Sequence, residues 1–236
     1  MAEALLEVTG LTCGHGDAVV LSDVSFRIEA GRSLALLGRN GTGKTTLIDT
    51  LVGVTRRFQG RIVLAGREVH ALPVHKRAEA GIGWVPQERN IFKSLTVEEN
   101  LTAVARPGPW TVQRVYGLFP RLAERTRNLG TQLSGCEQQM LAFARALVLN
   151  PKLLLLDEPL EGLAPIIVEE LLQAIRRVAR EEGLSSIVVE QHPHLVLAVT
   201  DEALVLERGG IAHRNRSEVL AADPALLDPW LGVAAH

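Results

Sequence analysis

Aromatic residues are scarce in this chain of 236 residues, where they make up only 4% of the sequence. Proteins that bind single-stranded nucleic acid usually stack the bases on aromatic side chains. The net charge of −2 also provides no general attraction for phosphate backbones or anionic lipids. We therefore expect no nucleic-acid partner.

The chain also has few cysteines and no long apolar run. Only Cys13 and Cys136 are present, far apart and without metal-ligand spacing, so a reduced cytosolic thiol state is the simplest interpretation. The brief Leu5–Leu6 pair does not make a signal-peptide core, and no apolar run approaches the roughly 20 residues that span a bilayer. A chain of this kind works at a membrane only by docking on a protein that spans it.

The remaining composition is that of a globular protein, with 47% hydrophobic and 22% charged residues. The chain is long enough to bury a large core in one domain. It contains no internal repeat, low-complexity segment or linker. We expect one α/β unit over 1–236, with a core formed by 1–87 and 147–236 and a helical subdomain over 88–146.

A glycine-rich loop is the most informative motif. The run Gly38–Thr45 matches G-x-x-x-x-G-K-[ST], and it lies between a predicted buried strand, Ser33–Leu37, and a predicted helix, Thr46–Val52. This context makes a chance match of the pattern improbable. Backbone N–H groups of such a loop surround phosphate oxygens, and the helix N-terminus adds partial positive charge. Lys44 is placed to reach β- and γ-phosphates and the Thr45 hydroxyl to ligate Mg²⁺.

Other segments predict a mixture of strands and helices. Thr96 is a candidate N-cap with Glu99 completing a capping box, and Pro107–Pro109 interrupts the helical region that runs from about 88 to 149. A further helix is predicted over Ile167–Glu181, and a short polar one around Lys76–Arg77. The predicted strands are Leu5–Val8, Val24–Ile28, Gly60–Leu64, Ile82–Val85, Lys152–Asp157 and Ser186–Glu190.

Two acids, Asp157 and Glu158, stand at the end of the apolar run that predicts the strand Lys152–Asp157. Open α/β sheets bind ligands at the carboxyl ends of their strands, so Asp157 is positioned to hold Mg²⁺ through water and Glu158 to polarise an attacking water. A strand that simply ends in solvent-facing acids is a common alternative. The phosphate loop upstream favours the functional interpretation.

Several further motifs occur in the order found in ABC-transporter ATPases. The segment Leu133–Gln139 resembles the signature motif of that family. The other matching blocks are Val85–Gln87 for the Q-loop, Leu156–Pro159 for the second nucleotide motif, Glu161–Pro165 for the D-loop and Glu190–His192 for the switch region. The resemblance covers essentially the whole chain, and this combination of motifs is highly specific.

The resemblance implies a RecA-like P-loop NTPase core, with an antiparallel β subdomain and a helical subdomain, that binds and hydrolyses ATP with Mg²⁺. In that family Glu158 corresponds to the general base and His192 to the γ-phosphate contact, while Gln87 joins Thr45 and Asp157 at the metal. Ser134 and Gly135 contact ATP held by the opposite subunit. The remaining expected nucleotide contacts are His15, stacked on adenine, and Gly38, Arg39, Asn40, Gly41, Thr42, Gly43, Lys44, Thr45 and Thr46.

The sequence of several short segments is similar to that of the second ATPase subunit of the branched-chain amino acid uptake system, whose relatives serve urea and short amides. This implies a second ATPase subunit as partner, in a heterodimer or a homodimer. It also implies two transmembrane permeases, and indirectly a periplasmic or lipid-anchored binding protein. The chain would then lie peripherally on the cytoplasmic face of the cell membrane. A soluble ABC protein outside transport would need a tandem cassette or a long coiled-coil insertion, and a P-loop kinase would not need the signature.

Some positions depart from the family pattern. Cys136 replaces a glycine of the signature, and two interpretations stay open: a degenerate signature that weakens ATP contact and hydrolysis, or a compact residue that is tolerated. Leu160 replaces a small polar residue and either packs at the dimer interface or covers core. His192 retains a histidine where many close relatives carry asparagine.

Overall fold

The computed structural model describes residues 4–232, and the strands in this part of the chain form two sheets. The strands are β1 (Ala4–His15), β2 (Ala18–Glu29), β3 (Ser33–Leu37), β4 (Arg56–Leu64), β5 (Arg67–Glu68), β6 (Ile82–Val85), β7 (Leu153–Asp157), β8 (Ser185–Val189), β9 (Glu202–Glu207) and β10 (Gly210–Arg216). The first sheet is antiparallel with order β2–β1–β4–β5. The second has order β10–β9–β3–β8–β7–β6, and its strands are parallel except for β10 at one edge.

Helices connect the strands and cover the parallel sheet. They are α1 (Lys44–Val52), α2 (Val74–Ala80), α3 (Val97–Thr102), α4 (Val112–Leu118), α5 (Pro120–Ala123), α6 (Gly135–Leu147), α7 (Pro165–Arg176), α8 (Pro193–Val196), α9 (Ser217–Ala222) and α10 (Asp228–Leu231). A π-helical turn, Arg177–Glu181, follows α7 directly. None of the helices in residues 4–232 is long and apolar enough to cross a membrane.

Strand β3 shows why the central strands are apolar throughout. Leu34 and Leu36 pack into one core with α1 and the antiparallel sheet, whereas Ala35 and Leu37 pack into the other core with α6 and α7. Successive side chains of a strand point to opposite faces, and both faces of this sheet are covered. A parallel strand buried on both sides therefore reads as a continuous hydrophobic run.

The sheet geometry brings the glycine loop and the two acids together. Strand β3 leads into the loop, and β7 leads into Asp157 and Glu158, with only β8 between them in the sheet. All three strands run parallel, so their carboxyl ends lie at one edge. The phosphate loop, the acidic pair and the residues after β8 consequently converge there, as expected for a ligand site of an open α/β sheet.

Local expectations agree with these elements in part. The strands Ser33–Leu37 and Ile82–Val85 have the predicted bounds, and the Thr96–Glu99 capping box is present at the start of α3. The predicted helix over Ile167–Glu181 instead begins at Pro165 and changes to the π-helical turn after Arg176. Strands β9 and β10 were not predicted.

A buried arginine on α2 supports the helix that follows the glycine loop. The Arg77 side chain is 5% exposed. Its guanidinium donates to the carbonyl oxygens of Thr50 and Leu51 at 2.6 and 3.0 Å, in the last turn of α1. It also donates to the carbonyls of Leu72 and His70 at 2.9 and 2.8 Å. Arg77 therefore caps α1, whose terminal carbonyls have no partner within the helix.

Replacing Arg77 with alanine is expected to lower the free energy of unfolding by about 3 kcal/mol, because a buried carbonyl left without a donor costs roughly 1–3 kcal/mol. Urea unfolding of the full chain measures the effect. Lys76→Ala, which removes only the exposed ion pair with Glu79, is the matched control and should cost less than about 1 kcal/mol. Equal small losses for the two variants would contradict the capping assignment.

Candidate functional site

The glycine loop adopts a backbone that requires glycine at two positions in particular. Gly43, at the N-terminus of α1, has φ of 101°, and a Cβ there would lie 2.5 Å from Cδ2 of Leu21. Gly38 has φ of 152°, and a Cβ there would lie 2.7 Å from the carbonyl oxygen of Leu206. These φ values are unfavourable for residues with a Cβ, and the surrounding chain leaves no room for one. The motif glycines are thus required by the conformation of the loop.

Lys44 is the first residue of α1, directly after the loop glycines, and is buried. Its Nζ donates to the carbonyl oxygens of Gly38 and Arg39 at 2.8 and 3.2 Å, and it lies 3.9 Å from Oε1 of Glu158. Burial lowers the pKa of Lys44, and the nearby carboxylates oppose that shift. The ammonium group therefore bridges the loop and Glu158, which directly follows β7.

Thr45 and Asp157 place two oxygen groups side by side. The Thr45 hydroxyl donates to Oδ1 of Asp157 over 3.5 Å, and the threonine is exposed to the cleft while the aspartate is buried. Burial raises the pKa of Asp157 to about 6, and the Thr45 hydrogen bond counters this shift. A hydroxyl beside a carboxylate suits a hard cation such as Mg²⁺, which prefers oxygen ligands.

Glu158 has an unusual backbone and a well-defined side chain. Its φ is 46°, a left-handed conformation that costs a non-glycine residue of order 1–3 kcal/mol and that often occurs at functional sites. Its backbone N–H donates to the Val189 carbonyl at 3.1 Å, and its Oε2 accepts a hydrogen bond from Nε2 of Gln191 at 2.8 Å. The side chain is 8% exposed, so the carboxylate is held between β7 and the residues after β8.

Glu190 is a third buried carboxylate, after Asp157 and Glu158. Its oxygens accept the backbone N–H groups of Leu160 at 3.0 Å and of Gln191 at 3.3 Å. Burial raises its pKa to about 7, although these two hydrogen bonds favour the charged form. Glu190 thereby joins the turn after Glu158 to the end of β8.

This pKa predicts a pH-dependent stability. An acid whose pKa is higher in the folded state than its ordinary 4.5 binds more protons when folded, so its contribution to stability falls as pH rises from about 4.5 to 7. Position 190 does not titrate in Glu190→Gln. The free energy of unfolding of this variant, relative to that of wild type, should therefore rise by up to about 3 kcal/mol as the pH goes from 5 to 8. Urea unfolding of both proteins at the two pH values measures the difference. Parallel pH dependence of the two proteins would contradict it.

A cleft of about 430 Å³ surrounds these groups. It contains residues from the loop, from the segment after β6 and from the ends of β7 and β8. Its lining residues are Val20, Asn40, Gly41, Gly43, Lys44, Thr45, Thr46, Gln87, Glu158, Glu161 and Gln191. Most of the predicted loop contacts and Gln87 therefore share one cavity with Glu158.

His15 and Gln87, two further predicted contacts, each form a hydrogen bond with a residue that lines this cleft. Nε2 of His15, at the end of β1, is 3.2 Å from the Thr46 hydroxyl, and the exposed imidazole stands beside the loop. The Gln87 side chain donates to Oε2 of Glu161 at 2.5 Å. Gln87 thus contacts Glu161, in the segment after Glu158, and is not hydrogen-bonded to Asp157 or Thr45.

His192 is the exposed N-cap residue of the short helix α8. It lines a neighbouring cavity of about 280 Å³ together with Glu158 and Gln191. Gln191, one position earlier, lines the cleft of the phosphate loop and contacts Glu158. Gln191 was not among the predicted site residues, because the γ-phosphate contact was assigned to the adjacent His192 of the family motif.

The signature residues stand apart from the cleft. Ser134 is the N-cap of α6 and forms a capping box with Glu137, whose backbone N–H lies 3.3 Å from the serine hydroxyl. Ser134 and Gly135 are exposed, and neither is one of the described residues that line the cleft. Cys136 is half-buried against the core.

Leu160 and the tryptophans pack against other side chains of this chain. Leu160 is buried in the core that α6 and α7 share, so it covers core within this chain. Trp110 packs in the same core, and Trp84 packs against the core on the α1 side. Trp230 stacks on His213, with ring centroids 4.5 Å apart. These side chains therefore contribute packing contacts.

Comparisons with known proteins agree with this architecture. The family model described as "ABC transporter" matches residues 21–161. The chain is 41% identical to the high-affinity branched-chain amino acid transport ATP-binding protein BraG of Pseudomonas aeruginosa, over 92% of this chain and 95% of that protein. It is 36% identical to the lipopolysaccharide export system ATP-binding protein LptB of Haemophilus influenzae, over 97% and 98%.

A solved structure of a bacterial Atm1-family ABC exporter with ATP bound superposes with a TM-score of 0.81 at 26% identity, over 100% of this chain and 44% of the exporter chain. The fold is therefore the α/β P-loop NTPase fold expected from the sequence. With the phosphate loop, the acids after β7 and the family match together, the chain belongs to the ABC transporter family and is one of its ATP-binding, ATP-hydrolysing subunits.

Proposed function

We propose that this ATPase powers the import of branched-chain amino acids. The observation that carries the proposal is the 41% identity to BraG over nearly the full length of both chains. The segments Gly38–Gly41, Glu161–Pro165 and Val189–Gln191 are also similar to the second ATPase subunit of such systems. Urea or short amides are alternative solutes. The 36% identity to LptB favours export of lipopolysaccharide as a second candidate.

Hydrolysis is proposed to use the groups that converge at the loop. Lys44 would exchange its contacts with the loop carbonyls for contacts with the β- and γ-phosphates, and so stabilise charge that develops during transfer. Glu158 would act as general base toward the attacking water. His15 is proposed to stack on adenine, and His192 remains a predicted contact of the γ-phosphate.

Mg²⁺ is proposed to accompany ATP at Thr45 and Asp157, with Gln87 as a further ligand. The adjacent hydroxyl and carboxylate oxygens, 3.5 Å apart, fit a cation that keeps several waters and takes one or two protein ligands. The metal would neutralise phosphate charge when bound. Gln87 would first have to leave Glu161, to which it donates a hydrogen bond here.

A complete site is proposed to form between two ATPase subunits. Ser134 and Gly135 are exposed at the start of α6, where a backbone N–H and a hydroxyl can meet ATP held by another subunit. We expect the partner to be a second ATPase subunit or another copy of this chain. Two transmembrane permeases and a binding protein would complete the importer, with this chain on the cytoplasmic face of the membrane.

Reconstitution of the complex tests the solute. The tagged full chain is purified with its membrane partners, placed in lipid nanodiscs and assayed for ATP hydrolysis with the cognate binding protein. Leucine and valine should stimulate turnover several-fold, and Glu158→Gln complexes should show no stimulation. Stimulation by urea or acetamide would transfer the proposal to those solutes, and dependence on lipopolysaccharide would overturn import. Low turnover under every condition would favour a degenerate subunit.

A further inference from the structure

A cavity of about 630 Å³ lies at the opposite edge of the parallel sheet from the nucleotide cleft. Its lining includes Arg32 and Glu202, which stand at the amino ends of β3 and β9, whereas the phosphate loop follows the carboxyl end of β3. None of the described residues that line the nucleotide cleft also lines this amino-end cavity. A ligand bound here would therefore not compete with ATP for space.

Most of the charged side chains that line the amino-end cavity already have partners within the chain. The Arg32 guanidinium donates to Oδ1 of Asp201 at 3.3 Å. The other oxygen of Asp201 accepts hydrogen bonds from the backbone N–H and the hydroxyl of Ser33, both at 2.8 Å. Two further ion pairs, at 2.5 and 2.6 Å, are Glu202–Arg214 and Arg216–Glu218. Because each pair is neutral, these groups give the cavity no net preference for an anion or a cation.

Arg180 and Glu29 are the two charged lining residues left over. Within residues 4–232 neither side chain forms an ion pair or a hydrogen bond, and the two do not pair with each other. Glu29 is the half-buried last residue of β2, and Arg180 is exposed in the turn after α7. The cavity thus presents one unpaired anion and one unpaired cation, from elements far apart in the sequence.

The π-helical turn after α7 determines where Arg180 lies. The backbone N–H of Glu182 donates to the carbonyl oxygen of Arg177, five residues earlier, at 3.2 Å. Such turns are rare and occur frequently at functional sites. The wider turn directs the side chains that follow differently from a continued α-helix, and Arg180 is the residue of this turn that lines the cavity.

We propose that the amino-end cavity binds a free α-amino acid with an aliphatic side chain. Its carboxylate would pair with Arg180, since a guanidinium matches the two oxygens of a carboxylate, and its ammonium group would pair with Glu29. The aliphatic side chain would lie on the apolar part of the lining, which is Leu197, Ala198 and Ala221. A zwitterion suits this cavity because it brings two opposite charges to a cation and an anion that do not reach each other.

The choice of leucine or valine as the ligand rests on the proposed function. An importer of branched-chain amino acids delivers them to the side of the membrane on which this chain is expected to lie. The zwitterionic class follows instead from the unpaired charges of Arg180 and Glu29. The identity of the solute and the presence of the site can therefore fail separately.

Calorimetric titration of L-leucine into the purified full chain tests the proposal. Wild type should bind leucine with a dissociation constant of about 1 mM or lower, and saturating ATP should change it by less than about twofold. Arg180→Gln and Glu29→Gln should each weaken binding about tenfold or more, because each removes a charged partner. Arg177→Gln is the matched control: Arg177 belongs to the same turn and pairs with Glu181, but it does not line the cavity. Equal Tm values exclude unfolding as the cause.

Leucine analogues identify which charge each residue meets. N-acetylleucine lacks the ammonium group, so it should bind wild type more weakly and lose no further affinity in Glu29→Gln. Leucinamide lacks the carboxylate and should lose no further affinity in Arg180→Gln. Ligand-observed NMR measures these weaker affinities. Further loss in either combination would overturn the assigned contacts, and isocaproate bound as tightly as leucine would overturn the zwitterion.

Three other results would overturn the proposal: no saturable binding of leucine by wild type, displacement of leucine by ATP, or equal losses in Arg177→Gln and Arg180→Gln. Failure of the proposed function looks different. Leucine binding that depends on Arg180 and Glu29, in a chain whose reconstituted transporter is not stimulated by leucine, would refute the import and leave the site standing. Stimulation by leucine without binding to the purified chain would refute the site alone.

Discussion

Glu158→Gln is expected to bind ATP as well as the wild type but to hydrolyse it about 10²–10⁴-fold more slowly, the usual loss when a general base is removed. The amide occupies the same volume and can keep a hydrogen bond with Gln191. It cannot accept a proton from water. The substitution therefore removes the chemistry while leaving the shape of the cleft almost unchanged.

The measurement compares kcat and the ATP dissociation constant of the two proteins in the assembled transporter. Glu161→Gln is a matched control, because Glu161 lines the same cleft but is not assigned the proton. It should bind ATP normally and keep most of the turnover. Near wild-type turnover in Glu158→Gln would mean that another group activates the water.

Lys44→Ala should weaken ATP binding by the full chain about 10- to 100-fold, since a hydrogen bond to a charged group contributes roughly 1.5–3 kcal/mol. The ammonium donates to the carbonyls of Gly38 and Arg39. Because it is proposed to exchange these contacts for the phosphates when ATP binds, the expected loss of affinity comes from the missing phosphate contact.

Titration with a fluorescent ATP analogue gives the dissociation constant of each variant. Lys44→Arg retains the charge but not the compact shape of the ammonium, and it should recover part of the affinity. Tm values distinguish loss of ligand from loss of fold. An unchanged dissociation constant in Lys44→Ala would refute the assignment of the phosphate loop.

The parts of the site that lie in one short segment could be predicted from sequence. The loop Gly38–Thr45, the strand before it and the acids Asp157 and Glu158 each carry a local pattern with a physical cause. The helix start at Thr96 is similar, because a capping box involves residues three apart. Such features need no knowledge of distant residues.

Strands β9 and β10 were missed for the opposite reason. The apolar part of β9 is only Ala203–Leu206, and β10 alternates between exposed and half-buried residues such as Arg214 and Asn215. β9 becomes a strand by pairing between β3 and β10, and β10 by pairing with β9 at the edge of the sheet. Pairing of that kind leaves little periodic signal in the strand itself.

The chain's sequence by itself determined a phosphate loop, a buried strand ending in acids and membership of an ATPase family, because glycine patterns and apolar runs are local. Tertiary structure alone decided that Gln191 contacts Glu158, that Glu190 is buried beneath them, and that Leu160 covers core. These residues come from the ends of β7 and β8, and parallel pairing places those ends side by side. Which of two adjacent side chains, Gln191 or His192, enters the cleft depends on the path of the chain after β8, and a linear pattern does not encode that path.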